Sequence, residues 1–196
     1  MTAPDAPGAS TPLAEALASY APRTETEAAD LARVRALLAA GDPWPRSTAL
    51  HVTASALIVH PPTLRVLLRW HARQQAWLQV GGHADPGETD PLAIALREGR
   101  EETGLDDLVP WPDDVLAHDV LAHVVIVPVS AGGGEPAHEH ADVRFVLATD
   151  RPDAVRPENP AADLRWLSVA QAQALTAEPS VRETLTRVGR MLGDPA

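Results

Sequence analysis

Between Gly81 and Leu105 the chain reads GGHADPGETDPLAIALREGREETGL, and three of its carboxylates are spaced to act together. If Asp90 caps a helix that Pro91 opens, Glu98, Glu101 and Glu102 stand at i, i+3 and i+4 and share one face. The same phase puts Leu92, Ala95, Leu96, Gly99 and Thr103 on a separate, buried stripe, and Gly104 is a natural stop. Like charges one turn apart destabilise an isolated helix by roughly 0.2–0.5 kcal/mol per pair, so this crowding asks for a cation. A solvated acidic face, partly neutralised by Arg97 and Arg100, is the plain alternative. The surroundings favour a site. Gly81-Gly82 reads as a turn just upstream, Gly87-Glu88 tightens the loop, and Arg97 can pair with Glu88 to hold that loop against the helix. Magnesium takes a few carboxylates together with waters and substrate phosphates. Gly99 inside the apolar stripe costs roughly 1 kcal/mol against alanine, which suggests close backbone approach to a sheet.

The elements that must hold this helix follow from hydrophobic patterning. His51–His60 is an apolar, β-rich run, Pro61-Pro62-Thr63 turns the chain, and Leu64–Trp70 returns as a second strand. Trp77–Val80 is a short strand leading to the glycines. Further strands are expected within 115–129 (ending at Pro128), over Asp142–Ala148 and over Asp163–Leu167, with a flexible Ala131–Gly134 loop between the first two. Ser168 caps a helix to about Leu175, and a last helix runs over Val181–Leu192 behind Pro179. Mixed strands with few helices point to an α/β fold, a sheet covered by helices on its faces. Residues 1–12 read as a flexible tail and 13–45 as a helical extension and linker, in two pieces broken at Pro22. Thr24 or Thr26 can cap the second piece, which ends at Gly41. This arm can pack on the main domain, residues 46–196, or on a second copy in a homodimer; the sequence does not choose.

Composition bounds the function. The chain has 196 residues, 45% of them hydrophobic, and a formal net charge of −11. That argues against binding a nucleic-acid duplex, which needs a basic face. All 16 basic residues are arginine, the mark of a GC-rich genome rather than of a chemistry. There is no cysteine, hence no disulfide, thiolate nucleophile or thiolate-bound zinc. No secretory signal or membrane-spanning run is visible, so a soluble cytoplasmic protein is expected.

The Gly81–Leu105 segment resembles the Nudix box, the catalytic motif of the Nudix hydrolase family. That motif runs Gly, five residues, Glu, seven residues, Arg-Glu, two residues, Glu-Glu, one residue, Gly and an apolar residue. Gly82, Glu88, Arg97, Glu98, Glu101, Glu102, Gly104 and Leu105 fill those places. Two departures stand out: eight residues separate Glu88 from Arg97, and Gly99 replaces an aliphatic residue. The extra residue precedes the Arg-Glu-x-x-Glu-Glu run and leaves its geometry intact. HVTASA before the box and WLQVGGH leading into it resemble a bacterial subgroup of loosely defined specificity. The resemblance implies a Nudix-type α/β/α sandwich with a mixed β-sheet, plus the N-terminal helical extension. It implies metal-dependent hydrolysis of a diphosphate linkage in a nucleoside diphosphate-X or nucleoside triphosphate. The substrate would be a small phosphorylated molecule, a nucleotide derivative, with no membrane as partner. Glu98, Glu101 and Glu102, with the Gly82 carbonyl, would bind Mg²⁺ or Mn²⁺, and Arg97 would orient the carboxylates. The general base varies across the family; Glu158, in the RPENPAAD loop, is the best downstream candidate. The alternative is a non-catalytic Nudix-fold module that binds nucleotides or regulates, although such modules commonly lose box glutamates. An isoprenoid diphosphate isomerase of this fold would need a cysteine.

Other residues can touch substrate. His83 follows Gly81 and Gly82 directly and can meet phosphate. Trp77 is the tryptophan nearest the box and the one that would stack a base, although core packing is its commoner use. His138, His140 and Asp142 alternate and would face one side of a strand. Substrate contact by His140 and a surface histidine cluster are both open; zinc lacks an obvious fourth ligand. Subclass marks of the family are absent: Val120 and its neighbours stand where a proline would suggest ADP-ribose, no tyrosine suggests dinucleoside polyphosphates, and Val80 replaces the usual proline before Gly81.

Overall fold

Strand β1 (Leu50–His60) is the axis of the molecule. Its even positions Val52, Ala54, Ala56 and Ile58 are apolar, while its odd positions change from His51, Thr53 and Ser55 to Leu57 and Val59. With a side-chain period of two, one face of β1 is apolar throughout and the other is polar at one end only. The computed structural model describes residues 11–112, 121–132 and 134–193. Within them β1 joins β2 (Arg65–His71), β3 (Ala76–Leu78), β4 (Val80–His83), β5 (Val109–Pro110), β6 (Leu121–Val129), β7 (His138–Ala148) and β8 (Leu164–Ser168) in one sheet. β1 runs parallel to β7, from Leu50 opposite Glu139 to Val59 opposite Ala148, and the other pairings are antiparallel. The sheet is therefore mixed.

The other edge of β1 is shared. β2 pairs with Ile58–His60 and β4 with Thr53–Ala56. The two partners diverge, and the split between them lets a helix on one face reach residues on β2. That helix is α3 (Pro91–Thr103). It packs with α1 (Pro12–Ser19) and α2 (Glu25–Ala40) on the even face of β1, where Leu17, Val34, Val52, Ala54, Ile94 and Phe145 share one cluster. On the odd face, α4 (Val169–Leu175) and α5 (Pro179–Leu192) cover Leu57, Val59, Val66 and Val146, with Leu185 of α5 in the same cluster. Each large aliphatic side chain buried this way contributes about 1.5–3 kcal/mol, which ties the three layers into an α/β/α sandwich.

The extension lies on its own domain. Tyr20 Oη accepts from the Val124 N–H at 3.3 Å and the Asp30 carboxylate from the Ile126 N–H at 3.0 Å, so the arm satisfies β6 donors left open at the sheet edge. Behind β6, the fully buried Arg187 of α5 reaches Glu27 of α2 at 2.6 and 3.0 Å, Glu183 at 2.8 Å and the Ala122 carbonyl at 3.0 Å. Tyr20 Oη also donates to Glu27.

Of the two threonines able to cap α2, Thr24 does so, accepting from the Glu27 N–H at 3.1 Å. Several boundaries differ from expectation. Pro179 is the first residue of α5 rather than its herald. On α3, Ile94 is buried while Leu92 and Leu96 are only half-buried, because the helix leans on the sheet from one side. The main correction concerns Gly81 and Gly82, which form no turn: they lie in β4, opposite Ser55 and Ala54. Gly81 has φ of +147°, and a Cβ there would stand 2.3 Å from that of Ser55, so glycine is needed for strands in close approach. β7 starts at His138 rather than Asp142, so His138, His140 and Asp142 alternate along one strand, as their spacing suggests, and the loop alternative falls away. Residues 1–10, the start of the strand expected within 115–129, Val120 and Gly133 lie outside the described residues.

Candidate active site

Helix α3 is built to carry its carboxylates to β4. The Asp90 side chain accepts from the N–H groups of Leu92 and Ala93 at 2.9 and 3.3 Å, and Gly104 closes the helix with φ of +68°. Its last turn then lies over the split between β4 and β2. Glu102 accepts from the Gly81 N–H at 3.1 Å and pairs with Arg69 of β2 at 3.1 Å. Glu98 lies against Gly82 so closely that a Cβ there would meet its Oε1 at 2.5 Å. Glu101 points further into solvent.

Arg97 ties the ensemble together. Its guanidinium holds Glu88 at 3.0 Å, Glu98 at 2.9 Å, Glu101 at 3.0 Å and the His83 carbonyl at 2.9 Å. Glu88 in turn accepts from the Asp85 N–H at 2.8 Å. The extra residue before the helix is thus absorbed in the loop, and Glu88 closes that loop on α3. The hydrogen bond from Arg97 holds the Glu88 carboxyl below the usual range. Burial dominates at the other two: it raises Glu98 against the pull of Arg97, and pushes Glu102 up to about 7 despite Arg69 and the Gly81 N–H. A carboxylate so buried favours proton or cation uptake. Oxygen-only donors beside a glycine backbone fit a hard divalent ion such as magnesium.

Glu102 also borders a cleft of about 190 Å³ on the polar end of the odd face. Ser55, Gln79, His83, His140 and Asp142 line it. Asp142 accepts from Thr53 at 3.1 Å, Ser55 at 3.0 Å, Gln79 at 3.3 Å and Arg144 at 2.7 Å. Arg144 continues to Thr184 and Ser180 on α5, at 3.1 and 3.2 Å. Arg69 Nε and Gln79 Oε1 are buried without a hydrogen-bond partner among the described residues. Buried polar atoms normally have a partner, so these two stand out beside the cleft that Arg69 and Gln79 line.

Among the residues singled out from sequence, Glu98, Glu101, Glu102, Arg97, Gly81 and Gly82 come together at this site. His83 and His140 join it from β4 and β7, with rings 4.8 Å apart. Burial pushes His83 down to about 3 and His140 to about 4. Glu158 reaches the site's edge, exposed and 3.3 Å from Arg69. Trp77 does not line the cleft. Its ring is buried against Trp70 in the odd-face cluster, with Arg165 stacked 4.5 Å above it. Arg69, Gln79 and Arg144 also line the cleft, and little in the sequence marks them. The one available signal was a polar residue at every second place of Asp142–Arg144 in an apolar strand.

The NUDIX domain model matches residues 49–188. The chain therefore belongs to the NUDIX domain family and is an enzyme of the Nudix hydrolase class. A C. elegans Ap4A hydrolase in a binary complex is similar in fold, with 19% identity, TM-score 0.57, and coverage of 72% of this chain and 97% of that one. An E. coli dihydroneopterin triphosphate pyrophosphohydrolase gives 21%, 0.53, 74% and 96%. A Nudix hydrolase from M. smegmatis, RenU, gives 22%, 0.50, 74% and 88%. No curated protein matches the sequence significantly. No helix among the described residues is long and apolar enough to cross a membrane.

Proposed function

We propose that the chain hydrolyses a pyrophosphate linkage in a small nucleotide derivative, a nucleoside diphosphate-X or a nucleoside triphosphate, with Mg²⁺ or Mn²⁺ held by Glu98, Glu101, Glu102 and the Gly82 carbonyl. The observation that carries this reading is the placement of Glu102 at the junction of the carboxylate cluster and the cleft, with Arg69 beside it. When bound, the metal neutralises phosphate oxygens and acidifies a water. The protein's own part is positioning. Arg97 keeps the carboxylates apart and aimed by engaging one oxygen of each of Glu98 and Glu101. Arg69 and Gln79 line the cleft, where the guanidinium would meet a phosphate or leaving group and the amide the remaining moiety. Glu158, drawn to the site by Arg69, is our candidate for taking a proton from the attacking water, with the box glutamates as its rivals. Two structural neighbours are by name an Ap4A hydrolase and a dihydroneopterin triphosphate pyrophosphohydrolase, which supports diphosphate chemistry without choosing a substrate. A cytoplasmic setting is part of the proposal.

The test is release of phosphate or pyrophosphate from a panel of nucleoside triphosphates, nucleotide sugars and dinucleoside polyphosphates, with and without Mg²⁺. Metal-dependent turnover that disappears in Glu102→Gln is expected. Tight nucleotide binding with no turnover of any diphosphate would favour the binding module instead, and equal turnover by the variant would sink the site assignment. Glu158→Gln should lower kcat with little change in KM if Glu158 is the base.

A further inference from the structure

Four of the chain's eight histidines converge at the polar end of the odd face. His51 comes from β1, His83 from β4, and His138 and His140 from β7. The pairing explains the meeting: His51 stands opposite His140, and His83 opposite Thr53, two residues along the same face. His83 Nε2 lies 3.1 Å from His51 Nε2, and His138 Nε2 lies 3.1 Å from His140 Nε2. Nitrogens of His51, His138 and His140 all fall within 4.8 Å of one another. Neighbouring ligand atoms of a tetrahedral zinc with bonds of 2.0–2.1 Å are about 3.3 Å apart, so the two close pairs already have that spacing and small ring rotations join them.

The outer contacts are those of a ligand set. His51 Nδ1 is 3.0 Å from the Thr48 carbonyl, and His138 Nδ1 is 2.9 Å from the Pro136 carbonyl. A carbonyl can only accept, so each Nδ1 donates and each Nε2 is left with its lone pair turned toward the other rings. Metal-bound histidines are oriented by the same kind of second bond. Without a metal, the four rings meet in two ring-to-ring contacts, His83 with His51 and His138 with His140. Uncharged nitrogen donors suit zinc and its neighbours among the transition metals and discriminate against magnesium, which takes oxygen. A cavity of about 280 Å³, bordered by His51, His83, His138 and Glu135, gives an ion a way in.

We propose that His51, His83, His138 and His140 bind one transition-metal ion, zinc foremost, at the mouth of the cleft and separately from the carboxylate site. The ion would pin the ends of β1, β4 and β7 beside Gly82. This assignment is independent of the hydrolase reading, since its test reads metal and not turnover.

The experiment uses the full chain without a polyhistidine tag, stripped with a chelator and titrated with Zn²⁺ against a chromophoric competitor. One zinc per chain is expected, with affinity at least about ten-fold weaker in His51→Gln/His140→Gln and unchanged in Glu102→Gln. No zinc uptake by the folded wild type, equal uptake by the histidine variant, or loss of uptake in Glu102→Gln would each overturn it. Should the histidine variant misfold by circular dichroism, Co²⁺ added to the wild type decides. An intense visible band of a tetrahedral ion, with histidine ¹⁵N shifts of Nε2 coordination, supports the site, and a weak octahedral spectrum refutes it.

Discussion

Arg97 and Arg187 each gather several oxygens, yet they build opposite kinds of centre. Arg187 is fully buried, and its partners Glu27, Glu183, Tyr20 and the Ala122 carbonyl leave its cluster saturated. Burial alone would raise Glu27, but hydrogen bonds from Arg187, Tyr20 and the Arg23 N–H outweigh it and hold the carboxyl at about 2. Arg97 instead divides one guanidinium among Glu88, Glu98 and Glu101, and Glu102 beside it is pushed the other way, to about 7. A carboxylate with every lone pair occupied is structural. One that is buried and short of partners is stored capacity for a cation, and such sites are held at a cost in stability.

The contrast can be broken from either end. The largest expected effect is catalytic: Glu102→Gln should lower kcat/KM by about 10³-fold, roughly 4 kcal/mol of transition-state stabilisation, in steady-state assays with Mg²⁺. At the other centre, Arg187→Met leaves Glu27 buried and unpaired and should destabilise the fold by about 3–5 kcal/mol in urea titrations. A variant no less stable than wild type would mean that the arm is not held by this pair.

Next comes pH. Glu27 has a folded pKa below its ordinary value, so its contribution is present above pH about 4.5 and is lost as pH falls toward about 2. Glu102 has a raised one, so in chelator its contribution is present below about 4.5 and is lost as pH rises through about 7. Stability of the metal-free chain should therefore lose an acid-side slope in Glu27→Gln and a neutral-side slope in Glu102→Gln. It follows that Glu102→Gln, inactive, should melt higher than wild type at pH 7 in chelator. The smallest effect concerns how the carboxylate helix seats. Gly99→Ala improves helix propensity by about 1 kcal/mol but sets a Cβ 2.9 Å from Leu108 Cδ1. A net loss of about 1 kcal/mol is expected from such overpacking, and a gain would show that Leu108 yields freely.

The carboxylate centre was largely legible in the sequence. Asp90, Pro91, Gly104 and the i, i+3, i+4 spacing of the glutamates sit within one helix, and even the pairing of Arg97 with Glu88 is local. The saturated centre was not. Glu27 and Arg187 are 160 residues apart, and each read alone is an ordinary helix charge. Gly81 and Gly82 carry the sequence signal of a turn, yet in β4 Gly81 permits close approach of Ser55 and Gly82 that of the Glu98 carboxylate.

The sequence by itself determined what a helical turn or a strand period can reach: the phase of α3, its caps, the apolar faces of β1 and the match to the Nudix box. Side chains a few residues apart on one element have nearly the same geometry in any fold. Tertiary structure decided what depends on strand pairing. It brought Arg69 to Glu102 across the split between β2 and β4, buried Trp77, and set His51 and His83 beside His138 and His140. Register joins residues whose separation along the chain carries no trace of their contact. The two histidines that join the pair on β7, His51 and His83, could thus be seen only once the sheet was assembled.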